Sequence, residues 1–272
     1  MRASLIQTGP DDAESIEERR ERVAALVRGQ GGQHGGRADP VDLVVLPELW
    51  TVGAFSYESF DAAAEPLQGP THEAMAKAAS DAGVWLHAGS IPERDPDGTL
   101  YNTSLVFAPD GSLAASYRKI HRFGFDRGEA VLMGAGEELV TVPLPGLTLG
   151  LATCYDLRFP ELFRGLVDRG AEALIVSAGW PERRRAHWSL LARARAVENQ
   201  SFVLACGSAG EHAGVAQAGH SAVFDPWGEV LGELPDAQEA VLTVDFDPGQ
   251  VATVREEFPA LKDRRLGVPP HK

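Results

Sequence analysis

The chain has 272 residues, 44% hydrophobic and 24% charged, with 39 acidic against 25 basic side chains and a formal net charge of −14 at pH 7. It is too apolar for a disordered polymer, and its charges are too evenly spread to leave a membrane-spanning run. The carboxylate excess disfavours nucleic acid and anionic lipid, whose phosphates are held by basic patches, so the expected partners are small molecules or other protein subunits.

In chain order, a short apolar run at residues 4–7 reads as a strand. A helical pattern follows over 13–28, with Ile16, Val23, Ala24 and Val27 on one face. The glycine-rich stretch 29–37 lacks the Lys-Ser/Thr ending of a phosphate loop and leads into a strand, so it reads as a surface loop. Strands are expected at 41–46, 84–89 and 103–107, with a helix at 71–82 and an apolar run at 113–117. Gly134 and Gly136 lack the third glycine and the helix of a dinucleotide fingerprint and read as turn residues. Further strands are expected at 147–152, 173–176, 202–205 and 241–244, and helices at 160–169 and 182–200. In the last helix His187, Leu190, Leu191, Ala194 and Val197 line one side. Strand and helix alternate without a repeat or a linker, which predicts one α/β domain over residues 1–272.

Two cysteines, Cys154 and Cys206, have no paired spacing, so neither a disulfide framework nor a structural zinc site is indicated. The N-terminal stretch turns polar within a few residues and lacks the apolar core of a signal peptide, so the expected compartment is the reducing cytoplasm. No histidine falls in an HxH or HExxH pattern, and no metal or cofactor is expected.

Cys154 ends the apolar strand of LTLGLATCYDLRFPE, and Pro160 is placed for the first turn of a helix. A strand-to-helix turn aims backbone N–H groups at the side chain it presents, lowering a thiol pKa and offering an oxyanion site. The competing reading is a small buried hydrophobe, which suits Cys206 well. A nucleophilic thiol needs a base, and no histidine sits in a cysteine-protease context. Glu48, closing VDLVVLPE, is either that base or a solvated loop carboxylate. Lys119, after the 113–117 run, is either an oxyanion-binding ammonium or a surface lysine. Glu, Lys and Cys at three strand ends form a joint signal more specific than any one of them.

The blocks LPELW, YRKIH and CYDLRFPELFR, with GE at Gly128–Glu129, HWSLLARARAVENQ and GHSAVFDPWGEV, resemble the carbon-nitrogen hydrolases of the nitrilase superfamily over nearly the whole chain. The resemblance implies a four-layer α-β-β-α sandwich, a homodimer formed by extending it, and a Glu48-Lys119-Cys154 triad. It further implies that Glu129 holds Lys119 and that the backbone N–H of Tyr155 helps bind the oxyanion.

CYDLRFPE resembles the branch of omega-amidases and deaminated-glutathione amidases, whose substrates are primary amides of small carboxylate-bearing molecules. A nitrilase or N-carbamoyl hydrolase of the same superfamily is the alternative, followed by a non-catalytic binding protein with this fold. Arg158 is either a carboxylate-binding group or an ion-pair partner of Glu161 or Asp156. Arg183, Arg184 and Arg185 offer the same function or a solvated helix face. Trp180 is a pocket wall or a core or interface residue, and His121 and His187 orient neighbours or pack. One departure is Ala54-Phe55 after Gly53, where the family often has a tyrosine, which predicts an altered pocket mouth.

Overall fold

The computed structural model describes residues 1–11, 13–32 and 39–267. Strands are β1 (Arg2–Gln7), β2 (Leu43–Val45), β3 (Trp85–Arg94), β4 (Leu100–Phe107), β5 (Leu113–Arg118), β6 (Thr141–Leu144) and β7 (Leu147–Thr153). They continue as β8 (Ala173–Ala178), β9 (Phe202–Gly207), β10 (Glu211–His212), β11 (Val215–Ala216), β12 (Ala222–Phe224), β13 (Val230–Glu233) and β14 (Ala240–Asp245). Helices are α1 (Ile16–Arg28), α2 (Phe60–Ala63), α3 (Pro70–Ala82), α4 (Glu129–Leu132), α5 (Pro160–Asp168), α6 (Arg185–Asn199) and α7 (Gln250–Glu257).

Two six-stranded sheets run β14-β1-β2-β3-β4-β5 and β13-β12-β9-β8-β7-β6, each with three parallel strands at its centre and antiparallel strands outside. Strand alternation sends Leu5, Leu43, Val45, Leu149, Leu151, Ile175 and Leu204 between the sheets. The opposite faces pack Val44, Leu86, Met75 and Val27 under α1 and α3, and Leu174, Val176, Phe163 and Ala196 under α5 and α6. This is the expected α-β-β-α sandwich, built as one domain around a shared core. No helix among the described residues is long and apolar enough to cross a membrane.

Local chemistry sets the helix ends. α1 begins at Ile16 rather than at residue 13 because Ser15 caps it: the Glu18 N–H donates to Ser15 Oγ, and the Ser15 N–H donates to Glu18 Oε2 at 2.8 Å. α3 has Pro70 in its first turn and ends on left-handed Gly83. In α6 the side carrying Leu190 and Val197 faces outward, 67% and 50% exposed, while Trp188, Ala192, Arg195, Ala196 and Asn199 face the sheet. Only part of the aliphatic stripe is the packing face: Leu191 packs on the core, Leu190 and Val197 do not, and Arg195 turns inward to donate to the Leu157 carbonyl. Residues 33–37 of the glycine-rich stretch lie outside the described residues, and Gly29 caps α1.

β6 and β10 to β13 are absent from the sequence expectation. β6 is an edge strand carrying Pro143, and β12 has only three residues, too few for a periodic signal.

His87, fully buried on β3, accepts the Gly89 N–H at Nδ1, and burial depresses its pKa to about 4. Its folded pKa lies below the 6.5 of the free side chain, so the unfolded chain takes up the proton first. The stability it contributes is complete above about pH 6.5 and lost as pH falls towards 4, about 3 kcal/mol in all. His87→Leu is expected to reduce the drop in urea midpoint between pH 7 and pH 4.5; an unaltered drop would show that His87 is not its source.

Candidate active site

The site is built by strand ends converging where the two sheets face each other. Glu48 lies three residues beyond β2, Lys119 directly follows β5, Cys154 directly follows β7, and Glu129 opens α4. Beneath them Ser104 Oγ of β4 and Thr153 Oγ1 of β7 meet across the sheets at 3.1 Å.

The Glu48 turn is held from β3. Gly89 has φ +64 at the bulge between His87 and Ser90, and a Cβ there would lie 1.9 Å from the Pro47 carbonyl oxygen, so only glycine fits. Next to it the Leu49 N–H donates to Ser90 Oγ at 3.0 Å, and Trp50 Nε1 donates to the Ala88 carbonyl at 2.9 Å.

Cys154 has φ +49, a left-handed conformation that costs a non-glycine residue of order 1 kcal/mol. The turn is secured by the buried Asp156 carboxylate, which accepts the Thr153 N–H at 2.9 Å, the Tyr117 hydroxyl at 2.7 Å and the His121 N–H at 2.9 Å. His121 Nδ1 lies 2.8 Å from the same carboxylate, and its ring stacks on Phe159 at 3.7 Å. His121 thus orients neighbours, and Asp156, engaged on this side, is not the partner of Arg158.

Lys119, Glu48 and Glu129 are each almost completely buried. Lys119 Nζ donates to Glu48 Oε1 at 2.7 Å and to Glu129 Oε2 at 2.6 Å. Asn102 Nδ2 makes a second bridge between the carboxylates, at 2.8 Å and 2.6 Å. The Gly179 N–H donates to Glu48 Oε2 at 2.8 Å, and Cys154 Sγ lies 3.8 Å from the Gly179 carbonyl oxygen. A Cβ on Gly179 would meet Ala54 at 2.3 Å, so this approach also requires glycine.

Burial alone would lower the Lys119 pKa, but Glu129 and Glu48 outweigh it and hold the ammonium charged. Burial, then the charge of Glu48, raises the Cys154 pKa well above the usual thiol range, with Lys119 opposing. The expectation of a thiol acidified by its turn is therefore incorrect: desolvation and two neighbouring carboxylates win. Cys154 therefore rests as a thiol beside a carboxylate, and a thiol in that state needs a base before it can attack. Burial and Glu48 also raise the Glu129 pKa, while Lys119 acts to lower it.

These groups open into a narrow cleft whose walls include Tyr155, Arg158 and Trp180. Tyr155 is the second residue of the 3₁₀ turn Cys154–Arg158, where an N–H has no acceptor within the turn. Arg184 also lines the cleft, whereas Arg183 and Arg185 are exposed outside it. Ala54 and Phe55 form part of the mouth, and a phenol stands near the carboxylates from Tyr57, whose pKa is raised by burial, Glu129 and Glu48. Sequence reasoning missed Asn102 and the Gly179 N–H. Asn102 had a visible signal, an amide within the strand LYNTSLVF; a backbone N–H has none.

The sequence profile of the family "Carbon-nitrogen hydrolase" matches residues 2–256. A 2-oxoglutaramate amidase of Paenarthrobacter nicotinovorans is 41% identical over 273 residues, covering 97% of this chain and 90% of its own length. An omega-amidase of Mus musculus is 36% identical, covering 90% and 88%. Among solved structures, a CN-hydrolase superfamily protein from Xanthomonas campestris with an arsenic adduct in its active site superposes with a TM-score of 0.87, at 34% identity over 99% of this chain and 98% of that one. An amidase variant from Nesterenkonia sp. AN1, carrying the acetamide moiety of fluoroacetamide covalently on its active-site cysteine, gives a TM-score of 0.81 at 25% identity over 97% and 94%.

Proposed function

The chain belongs to the carbon-nitrogen hydrolase family, and from that premise we propose that it hydrolyses the primary amide of a small carboxylate-bearing molecule to acid and ammonia, through a thioester on Cys154. Amide hydrolysis fits the relatives, which act on amides by name. The observation that carries the site assignment is a buried Glu48 carboxylate shared between Lys119 and the Gly179 N–H, beside the Cys154 thiol.

In this reading Glu48 takes the thiol proton as Sγ attacks the amide carbon. Lys119 and the Tyr155 N–H stabilise the oxyanion, and Glu48 returns the proton to the departing nitrogen. Ammonia leaves, and Glu48 then deprotonates a water that cleaves the thioester and restores the thiol. Glu129 and Asn102 are positioning residues that fix Lys119 and Glu48 in register. Arg158 and Trp180 form the wall that receives the rest of the substrate.

The reading extends to residues 1–272 acting as one hydrolase domain and to a homodimer. The outward Leu190 and Val197 of α6, with Trp227 and Phe258 exposed as well, supply the apolar surface such a contact needs. Both cysteines are free thiols, in keeping with a reducing compartment such as the cytoplasm.

Ammonia release from succinamate, 2-oxoglutaramate and deaminated glutathione is the direct test. Release from at least one is expected, whereas silence on every amide, or preference for a nitrile or ureido compound, would replace this reading. Sedimentation is expected to give twice the monomer mass; a monomer at micromolar concentration would remove the dimer.

A further inference from the structure

Among the described residues, two guanidiniums in the cleft have no carboxylate to neutralise them. Arg158, four residues after Cys154, places its guanidinium carbon 4.9 Å from the Trp180 ring centroid. Arg184, from the 3₁₀ turn Glu182–Arg184, lies 5.2 Å over Phe123. Among the described residues neither makes an ion pair, and the polar partner of Arg158 is His187 Nδ1 at 3.3 Å. Arg185, by contrast, reaches Glu182 at 3.4 Å. The acids at the cleft floor, Glu48 and Glu129, are both engaged by Lys119.

Trp180 links the two arginines. Its ring carries Arg158, and its Nε1 donates to the Arg184 carbonyl at 2.8 Å, fixing the turn from which Arg184 projects. Burial, and then the charges of Arg183 and Arg158, lowers the Arg184 pKa, so this cation sits among like charges, partly out of water. A guanidinium held over an aromatic ring spends no N–H group on that contact and can still offer a planar anion two of them.

We propose that Arg158 and Arg184 form a clamp for the substrate carboxylate remote from the scissile amide, and that Arg184 rejects amides bearing an ammonium beside that carboxylate, separating amides of deaminated acids from free asparagine and glutamine. The proposal rests on the amidase reading for its scissile bond. An anion between the guanidiniums relieves their repulsion; an ammonium adds a third positive charge, and the acids at the cleft floor are already held by Lys119.

Three ligands of one length separate the terms: succinamate, asparagine with an added ammonium, and butyramide without the carboxylate. Calorimetric titration into Cys154→Ala protein measures binding without turnover. Succinamate is expected to bind most tightly. Arg184→Met is expected to lower its preference over both competitors by about tenfold or more, and Arg184→Lys to restore part of it. Equal weakening of all three ligands, an unaltered preference, or no succinamate binding to the Cys154→Ala protein would overturn the clamp. Melting curves of both Arg184 variants identify a folding defect, and the lysine variant carries the test should the methionine variant unfold. The two readings fail separately: absence of ammonia release by the unsubstituted enzyme counts against the amidase, whereas a binding preference indifferent to Arg184 counts against the clamp alone.

Discussion

Cys154→Ala is expected to leave a folded protein that releases no ammonia from any amide. The side chain is small and only 8% exposed, and alanine meets the same left-handed strain at φ +49, so stability should move by about 1 kcal/mol or less. No second thiol can replace it. Cys206 is fully buried between the sheets, its Sγ 3.4 Å from the Val45 carbonyl oxygen and 3.6 Å from that of Ile6, and burial pushes its pKa far up. An ammonia assay paired with a thermal melt checks both halves; a rate within tenfold of the unsubstituted enzyme would remove Cys154 as the nucleophile.

Lys119→Ala is expected to lower kcat by about a hundredfold or more, as loss of a preorganised oxyanion donor does. It should also destabilise, because Lys119 is the ammonium between two buried carboxylates, and breaking such an arrangement costs about 3–5 kcal/mol. The two effects separate in Lys119→Ala/Glu129→Gln, which removes one orphaned charge and should recover part of the stability but not the rate. Near-normal turnover in either variant would contradict the assigned role of Lys119.

Much of this site was legible because each principal group ends an apolar run: Glu48 after VDLVVLP, Lys119 after the 113–117 strand, Cys154 after LTLGLAT. A charged or reactive residue in that position has no packing reason to be there, and three together are a signal more specific than any one; the sandwich that joins them was implied by the family resemblance. Groups without such a marker were hidden. The Gly179 N–H belongs to the backbone, and Arg184 looked the same as Arg183 and Arg185 until the 3₁₀ turn sent it into the cleft. The direction of the thiol pKa was misread for a related reason: local turn geometry is visible in sequence, whereas burial between two carboxylates arises only from the packed sheets. In α6 the aliphatic stripe was visible, but the outward turn of Leu190 and Val197 depended on Arg195 and Asn199 finding buried partners.

The most direct test of the central claim is peptide mapping by mass spectrometry of the enzyme acid-quenched while turning over succinamate. A thioester mechanism predicts the succinyl group on the Cys154 peptide alone, and no adduct in Cys154→Ala. Acylation of another residue, or ammonia release by Cys154→Ala without any adduct, would contradict it.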